Sequence, residues 1–390
     1  MKQSRRAAWG ISAIAGVLLL ATGCTAGSGA ASNGSGKAPY VLGVLTSQTG
    51  GASQLGMGEM QGAQLAADNI NRTGGVNGHK IQLQIADDTS TPDQALQQAR
   101  LLLSKNILAL IGPSVAANCN AVGALVAQNG PVDYCLSPGI KTAANVWSSS
   151  AKTDALAEET MKYWKSKGIT KVAILNSTDA SGTDGGRATT AAAAKVGVKI
   201  TAHVTYDPTA VSATSQLQKA MAGAPQALVV WSTGTPMGVA LKGIQQLGIT
   251  LPVMTTDGNL STTFLKRIAD YMPDTLLIPA TRDFWWETLP KTGSVYKLEK
   301  EYHEKYQAKY GEAPDFGPGV GYDAVMLIAA ALKKADSTVP AKIHAALESL
   351  EGFDGVVGTY HMSAQDHRGL IIDDVAMVQA KDGKFTYVGK

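Results

Sequence analysis

Apolar residues come in short blocks along this chain. Each block stops at Gly, Pro or Asn, and the stretch after it repeats its apolar positions every three or four residues. Tyr40 to Leu45 is the first block, and the spacing of Met60, Ala63, Ala67 and Ile70 behind it predicts a helix. Ile81 to Ile85 alternates apolar and polar, as a half-buried strand does. Thr91-Pro92-Asp93-Gln94 then predicts a helix start, with Thr as cap, Pro at the first helical position and Gln closing a capping box. Leu108 to Ile111 is a strand that stops at Gly112-Pro113. The polar turn Ser114 to Asn118 feeds a helix carrying Ala121, Val122, Leu125 and Val126, and the next strand runs into Tyr134 to Gly139. This alternation predicts a parallel sheet with helices on both faces.

A second cycle starts near Thr153. Lys171 to Leu175, Val198 to Tyr206, Ala227 to Trp231 and Leu251 to Thr255 read as strands, and the last ends in Asp257-Gly258-Asn259. After Leu276 to Ile278 the pattern turns helical, over 295–310, 323–334 and 343–350, before two final strands near 358–362 and 374–378. Those late helices lack a core of their own and are expected to pack back on the first sheet. The fold class is therefore α/β, with two doubly wound parallel-sheet lobes.

The first residues change the picture. Lys2, Arg5 and Arg6 precede an apolar run from Ile11 to Ala21 that is shorter than the roughly 20 residues needed to span a bilayer. Leu20-Ala21-Thr22-Gly23-Cys24 follows, and resembles the lipobox of bacterial lipoproteins; the resemblance implies removal of 1–23 and lipidation of Cys24. Without that segment, 34 Lys and Arg become 31, equal to the 31 acids, so no basic surface speaks for nucleic acid. Residues 24–38 are mostly Gly, Ser and Ala and read as a flexible tether. In an exported chain, Cys119 and Cys135, just beyond consecutive strands, are expected to form a disulfide.

Enzyme chemistry finds no foothold. His79, His203, His303, His344, His361 and His367 are scattered with no metal-ligand spacing, and no metal or cofactor is expected. Gly56-Met57-Gly58 lacks dinucleotide-loop spacing, no P-loop or GxSxG elbow occurs, and Ser149-Ser-Ala-Lys152 stands without its companion motifs. Asp87-Asp88 reads as an exposed pair anchoring the next turn.

Thr49-Gly50, Gly62-Ala63, Ala67, Ile70-Asn71, Gly74-Gly75, Gly78, Asp87-Asp88, Pro92, Ala95 and Ile111-Gly112 occur in the order seen in type I periplasmic binding proteins. The chain resembles the leucine/isoleucine/valine-binding group of ABC-importer receptors over about Tyr40 to Val388. The resemblance implies two lobes joined by three crossovers near Ser150, Ala280 and Gly355, giving 39–150 plus 281–354 and 151–280 plus 355–390. It implies a small solute held between them, an ABC permease as partner, a monomer, and a lipid-anchored extracytoplasmic location.

Carried over position by position, the ligand site would comprise Ala116, Ala117 and Asn118 after one strand and Leu136, Ser137 and Gly139 after the next. The second lobe would add Ser181, Trp231, Ser232, Asp257 and Asn259, with Trp285 as a further stacking surface. Asp257 matches the acid that takes the ammonium of an amino acid. Ala116, Leu55 and Ser181 stand where the family has a hydroxyl and aromatic caps, so an aromatic carboxylate or an amide is an alternative ligand, and a sensor module an alternative role.

Overall fold

The computed structural model describes residues 37–127 and 130–390. The predicted leader, Cys24 and most of the tether lie outside the described residues. The tether expected to reach 38 is shorter than that, because the first strand already begins at Lys37, and Leu42 to Thr46 are buried in it.

The first lobe is built on a five-stranded parallel sheet: β1 (Lys37–Thr46), β2 (His79–Asp87), β3 (Ala109–Ile111), β4 (Val132–Cys135) and β5 (Val146–Ser148), in the order β2-β1-β3-β4-β5. Helices α1 (Ser53–Arg72), α2 (Pro92–Leu103) and α3 (Ala116–Val126) make its crossovers. The expected cap residue Thr91 does precede α2, but its side chain makes no capping bond and Pro92 holds the first position. Cys119 in α3 and Cys135 at the end of β4 are joined as a disulfide.

The second lobe follows with α4 (Thr153–Ser166), β6 (Lys171–Ser177), α5 (Ala180–Val196), β7 (Lys199–Tyr206), α6 (Thr214–Met221), β8 (Ala227–Trp231), α7 (Thr235–Gln246), β9 (Val253–Thr255), α8 (Thr262–Ile268) and β10 (Leu276–Ala280). The chain then returns to the first lobe through α9 (Ser294–Tyr310), α10 (Phe316–Ala335) and α11 (Pro340–Glu348), and through the hairpin β11 (Glu351–Asp354) and β12 (Thr359–His361). It ends with β13 (Ala376–Lys381) and β14 (Lys384–Gly389), both antiparallel, on the edge of the second sheet, whose order is β14-β13-β10-β9-β8-β6-β7.

Two helices show why the late segment docks where it does. Along α10 nearly every residue is buried, and it crosses α1 at glycines: a Cβ on Gly62 would lie 2.0 Å from the Pro318 carbonyl oxygen, and one on Gly321 2.1 Å from that of Glu59. Only glycine lets the two backbones come so close. The helix starts seven residues earlier than its apolar spacing predicts, at Phe316, because Gly317-Pro318-Gly319 is tolerated in a first turn that faces α1 rather than solvent.

The third passage between lobes differs from the expected Gly355. The β11–β12 hairpin stays with the first lobe, since the Tyr360 hydroxyl lies 2.9 Å from the Ser149 carbonyl and the Ser148 amide donates to the His367 carbonyl at 3.1 Å. Re-entry into the second sheet comes only at Ala376. Around the passages sits a buried cluster. Asp323 accepts from the Val356 and Val357 amides at 2.8 Å and lies 2.9 Å from the Tyr360 hydroxyl. Arg282 pairs with Glu299 at 3.2 Å and donates to Gly355 and Thr359, and Asp283 accepts from Thr281 at 2.7 Å. Burial pushes the Asp283 carboxyl up to about 8 and Asp323 to about 6. Among the described residues no helix is long and apolar enough to cross a membrane.

Candidate functional site

In each sheet the crossovers run one way from the first strand and the other way from the next, so the order switches between β1 and β3 and between β6 and β8. Loops diverge from the carboxyl ends of the strands at such a point and leave a crevice. The two crevices face each other. A Cβ on Gly139 of the first lobe would lie 3.7 Å from Ser181 Cα and from an Asp184 carboxylate oxygen of the second, and 3.7 Å from Ala116 Cβ. At another point Arg267 donates to Gln54 Oε1 at 2.8 Å, and a Cβ on Gly234 would lie 3.7 Å from the Gly51 carbonyl.

On the first lobe, the loop after β1 is tied to those after β2 and β3. Ser47 donates to Asp88 at 2.7 Å, Asn118 Nδ2 donates to the other Asp88 oxygen at 2.8 Å, and the Ser47 amide donates to Ser114 Oγ at 2.9 Å. Asp88 is fully buried, not the exposed partner of a surface pair; a strand-end carboxylate that gathers three loops has no solvent left around it. Ser114 in turn donates to Glu59, whose carboxyl burial pushes up to about 8. Glu59 Oε1 and Asn118 Oδ1 are buried with no protein partner among the described residues. Ala116 is buried and Ala117 exposed, while Leu136 and Ser137 are buried and Gly139 is half-buried.

On the second lobe, Asn259 is a bracket between loops. Its Nδ2 donates to the Ser232 carbonyl at 2.7 Å and to Thr255 Oγ1 at 2.8 Å, and its Oδ1 accepts from the Gly234 amide at 2.9 Å. Those bonds occupy the amide expected to meet a ligand. Asp257 spends one oxygen on Thr256 Oγ1, at 2.7 Å, and on the Gly258 amide, at 2.9 Å. Its other oxygen, Oδ2, is buried without a partner among the described residues, and desolvation pushes the carboxyl up to about 6. Trp231 lies flat on α5, where a Cβ on Gly185 would fall 2.0 Å from the indole, so its ring is core to the second lobe.

Trp285 does not join these residues. It sits against the last hairpin, 6.5 Å from the Tyr387 ring with Lys390 Nζ 4.6 Å above it. The turn after β10 carries it toward β14 because Arg282 and Asp283 are held in the buried cluster described above. A groove of 790 Å³ also lies elsewhere, between α11 and 142–145; its His367 stacks on Trp147 at 3.8 Å and is bonded to the Ala143 carbonyl and Glu348.

Sequence reasoning missed Gln54, Tyr134, Asp184 and Arg368. Arg368 is buried, and its guanidinium donates to the carbonyls of Ser150 (2.9 Å), Ala151 (3.2 Å) and Ile140 (3.1 Å). Burial pulls it down to about 10, against the opposing fields of Asp366, Asp184, Asp257 and Tyr134. No local pattern marks it, since the carbonyls that fix it come from more than two hundred positions upstream.

Residues 39–384 match the family model described as periplasmic binding protein. The chain is a member of that family. Its relatives are named as binding proteins, not enzymes: it is 30% identical over 154 residues to the Leu/Ile/Val-binding protein BraC3 of Rhizobium johnstonii, a match covering 37% of this chain and 41% of that one. It is 40% identical over 76 residues, 19% of this chain and 20% of the other, to an amino acid binding protein of Pseudomonas aeruginosa. These matches span well under half of either relative's length. The type 1 periplasmic binding protein of Bordetella pertussis superposes with a TM-score of 0.80 at 25% identity, covering 90% of this chain and all of that one. The substrate-binding protein LivJ of Streptococcus pneumoniae, solved with isoleucine, shares the fold at TM-score 0.76 and 21% identity, over 90% of this chain and 100% of that one. The binding protein thus has the two-lobed type I fold, with its crevices at the strand ends.

Proposed function

We propose that this binding protein captures one small polar solute, a branched-chain amino acid or a compound of similar size, by closing its lobes on it, and hands it to an ABC permease. The supporting observation is the pair of facing strand-end edges, each holding a buried polar atom with no partner among the described residues: Asn118 Oδ1 and Glu59 Oε1 on one side, Asp257 Oδ2 on the other. Burying such atoms unpaired costs free energy that a bound solute would recover. In this reading Ala116, Ala117, Leu136, Ser137, Gly139, Ser181, Ser232 and Asp257 line the site, Asn118 and Asn259 hold its loops, and Trp231 backs it. The passages near 150, 280 and 370 act as hinges. Cys24 carries a lipid and 25–36 tethers the body outside the cytoplasm.

A thermal-shift screen tests the capture step. Saturating leucine, isoleucine or valine at about 100 times Kd should raise stability by roughly 2.7 kcal/mol. The alanine at 116 and the leucine at 55 favour a second arm with aromatic carboxylates and amides. A melting point that none of these compounds moves, with no compaction in solution scattering, would sink the reading. Globomycin-sensitive processing and metabolic labelling with palmitate, lost in Cys24→Ala, test the anchor.

A further inference from the structure

Arg368 is a buried cation at the crevice; its guanidinium bonds go to backbone carbonyls, and the nearest charge is Asp366, which accepts from the Arg368 amide at 3.0 Å and is itself paired with Lys152. Its guanidinium has more N–H donors than the three carbonyls of Ile140, Ser150 and Ala151 use, and among the described residues none of the guanidinium's hydrogen bonds goes to a carboxylate. Ile140 directly follows Gly139, the residue that meets Ser181 and Asp184 across the crevice. The field of Arg368 reaches Asp184 and Asp257 on the opposite lobe without pairing with either. The Tyr134 hydroxyl, buried with no partner among the described residues, lies in the fields of both Asp323 and Arg368; Asp323 already accepts from the Val356 and Val357 amides and lies 2.9 Å from the Tyr360 hydroxyl. A guanidinium fixed on one side by backbone, with an idle hydroxyl near it and an idle carboxylate oxygen on the opposite lobe, gives the crevice a defined polarity. Its positive end lies at the first lobe and its negative end at the second.

We propose that Arg368, with Tyr134, anchors the anionic end of the solute, so that the site selects compounds carrying a carboxylate at one end and a hydrogen-bond donor turned toward Asp257. This rests on the solute-capture reading and narrows it. A planar guanidinium matches a carboxylate with paired donors, while an amide offers it no charge. Arg368 also touches the first passage between lobes through Ser150 and Ala151, so an anion bound there pulls on the hinge directly.

The test uses acid and amide pairs on the intact mature protein: L-leucine against L-leucinamide, and 4-hydroxybenzoate against 4-hydroxybenzamide. In the wild type the acid of at least one pair raises the melting point and its amide does not. Arg368→Gln lowers affinity for that acid by at least about tenfold, equivalent to about 1.4 kcal/mol, and removes the preference over the amide; Arg368→Lys keeps part of both. Should Arg368→Gln not fold, arginine-labelled wild-type protein gives the same answer, because the Arg368 Nε resonance shifts with the acid and not with the amide. Equal binding of acid and amide, undiminished binding of the acid by Arg368→Gln, or an unmoved resonance overturns the role of Arg368 alone. No response to any of the four compounds overturns solute capture for these classes, and this inference with it.

Discussion

Asp257 has one carboxylate oxygen in use and one idle, and that imbalance has a measurable consequence. Its carboxyl sits near 6 in the folded chain against 3.8 for an ordinary Asp. The folded state therefore holds a proton that the unfolded state has released between those values, so the contribution of Asp257 to stability falls as pH rises through about 4 to 6 and levels off above. Asp257→Asn should flatten that part of the profile, read as urea midpoints at about pH 4.5 and 7, and should abolish the response to amine-bearing solutes. Cys119 and Cys135 act through the unfolded chain instead. They are 16 positions apart, and replacing both with Ser should cost about 3 kcal/mol, seen as a lower urea midpoint. The chain is legible at this scale where a residue comes soon after a strand: Ala116 at the start of α3, Gly139 after β4 and Ser181 at the start of α5 come together. Trp285 is not, because its packing is decided by Tyr387 and Lys390 at the far end of the chain.

Helix α10 and the cluster at the passages carry the next scale. Gly62→Val pushes a branched side chain into the Pro318 backbone, which cannot yield as a flexible side chain would. It should destabilise by about 1–3 kcal/mol or more, read by urea unfolding. Gly51→Val is the control, since Gly51 is exposed and a Cβ there meets nothing within 4 Å. The cluster sets the alkaline limit. Asp283, near 8, and Asp323, near 6, hold protons when folded that they lose when unfolded above about 4, so stability should decline as pH rises to about 8 and flatten beyond. Asp283→Asn should make the upper part of that decline shallower in melting curves taken between about pH 6 and 9, with Glu59, also near 8, supplying the remainder. Long amphipathic helices and buried strands can be read from periodicity, whereas β5 cannot, because Val146 and Trp147 are only two apolar residues between Asn145 and a run of serines. The late passage to the second sheet escapes for another reason: the hairpin β11–β12 has strand character but pairs only with itself.

At the scale of the whole molecule, the lobes already touch. Arg267 and Gln54 make an exposed bond across the opening at 2.8 Å, so removing it shifts the open and closed populations only modestly, by less than about 1 kcal/mol. Arg267→Ala should enlarge the radius of gyration of the solute-free protein in solution scattering and leave the solute-bound value unchanged. The doubling of the α/β pattern is visible in the sequence, but the mutual approach of Gly139 and Asp184 is not, since it depends on how three separate passages pack. The order of the second sheet has one more consequence. Its β10 edge stays bare until Ala376–Lys381 arrive, so this sheet cannot be completed before those residues have been synthesised. A nascent chain stalled short of them should keep that edge unpaired and stay open to protease.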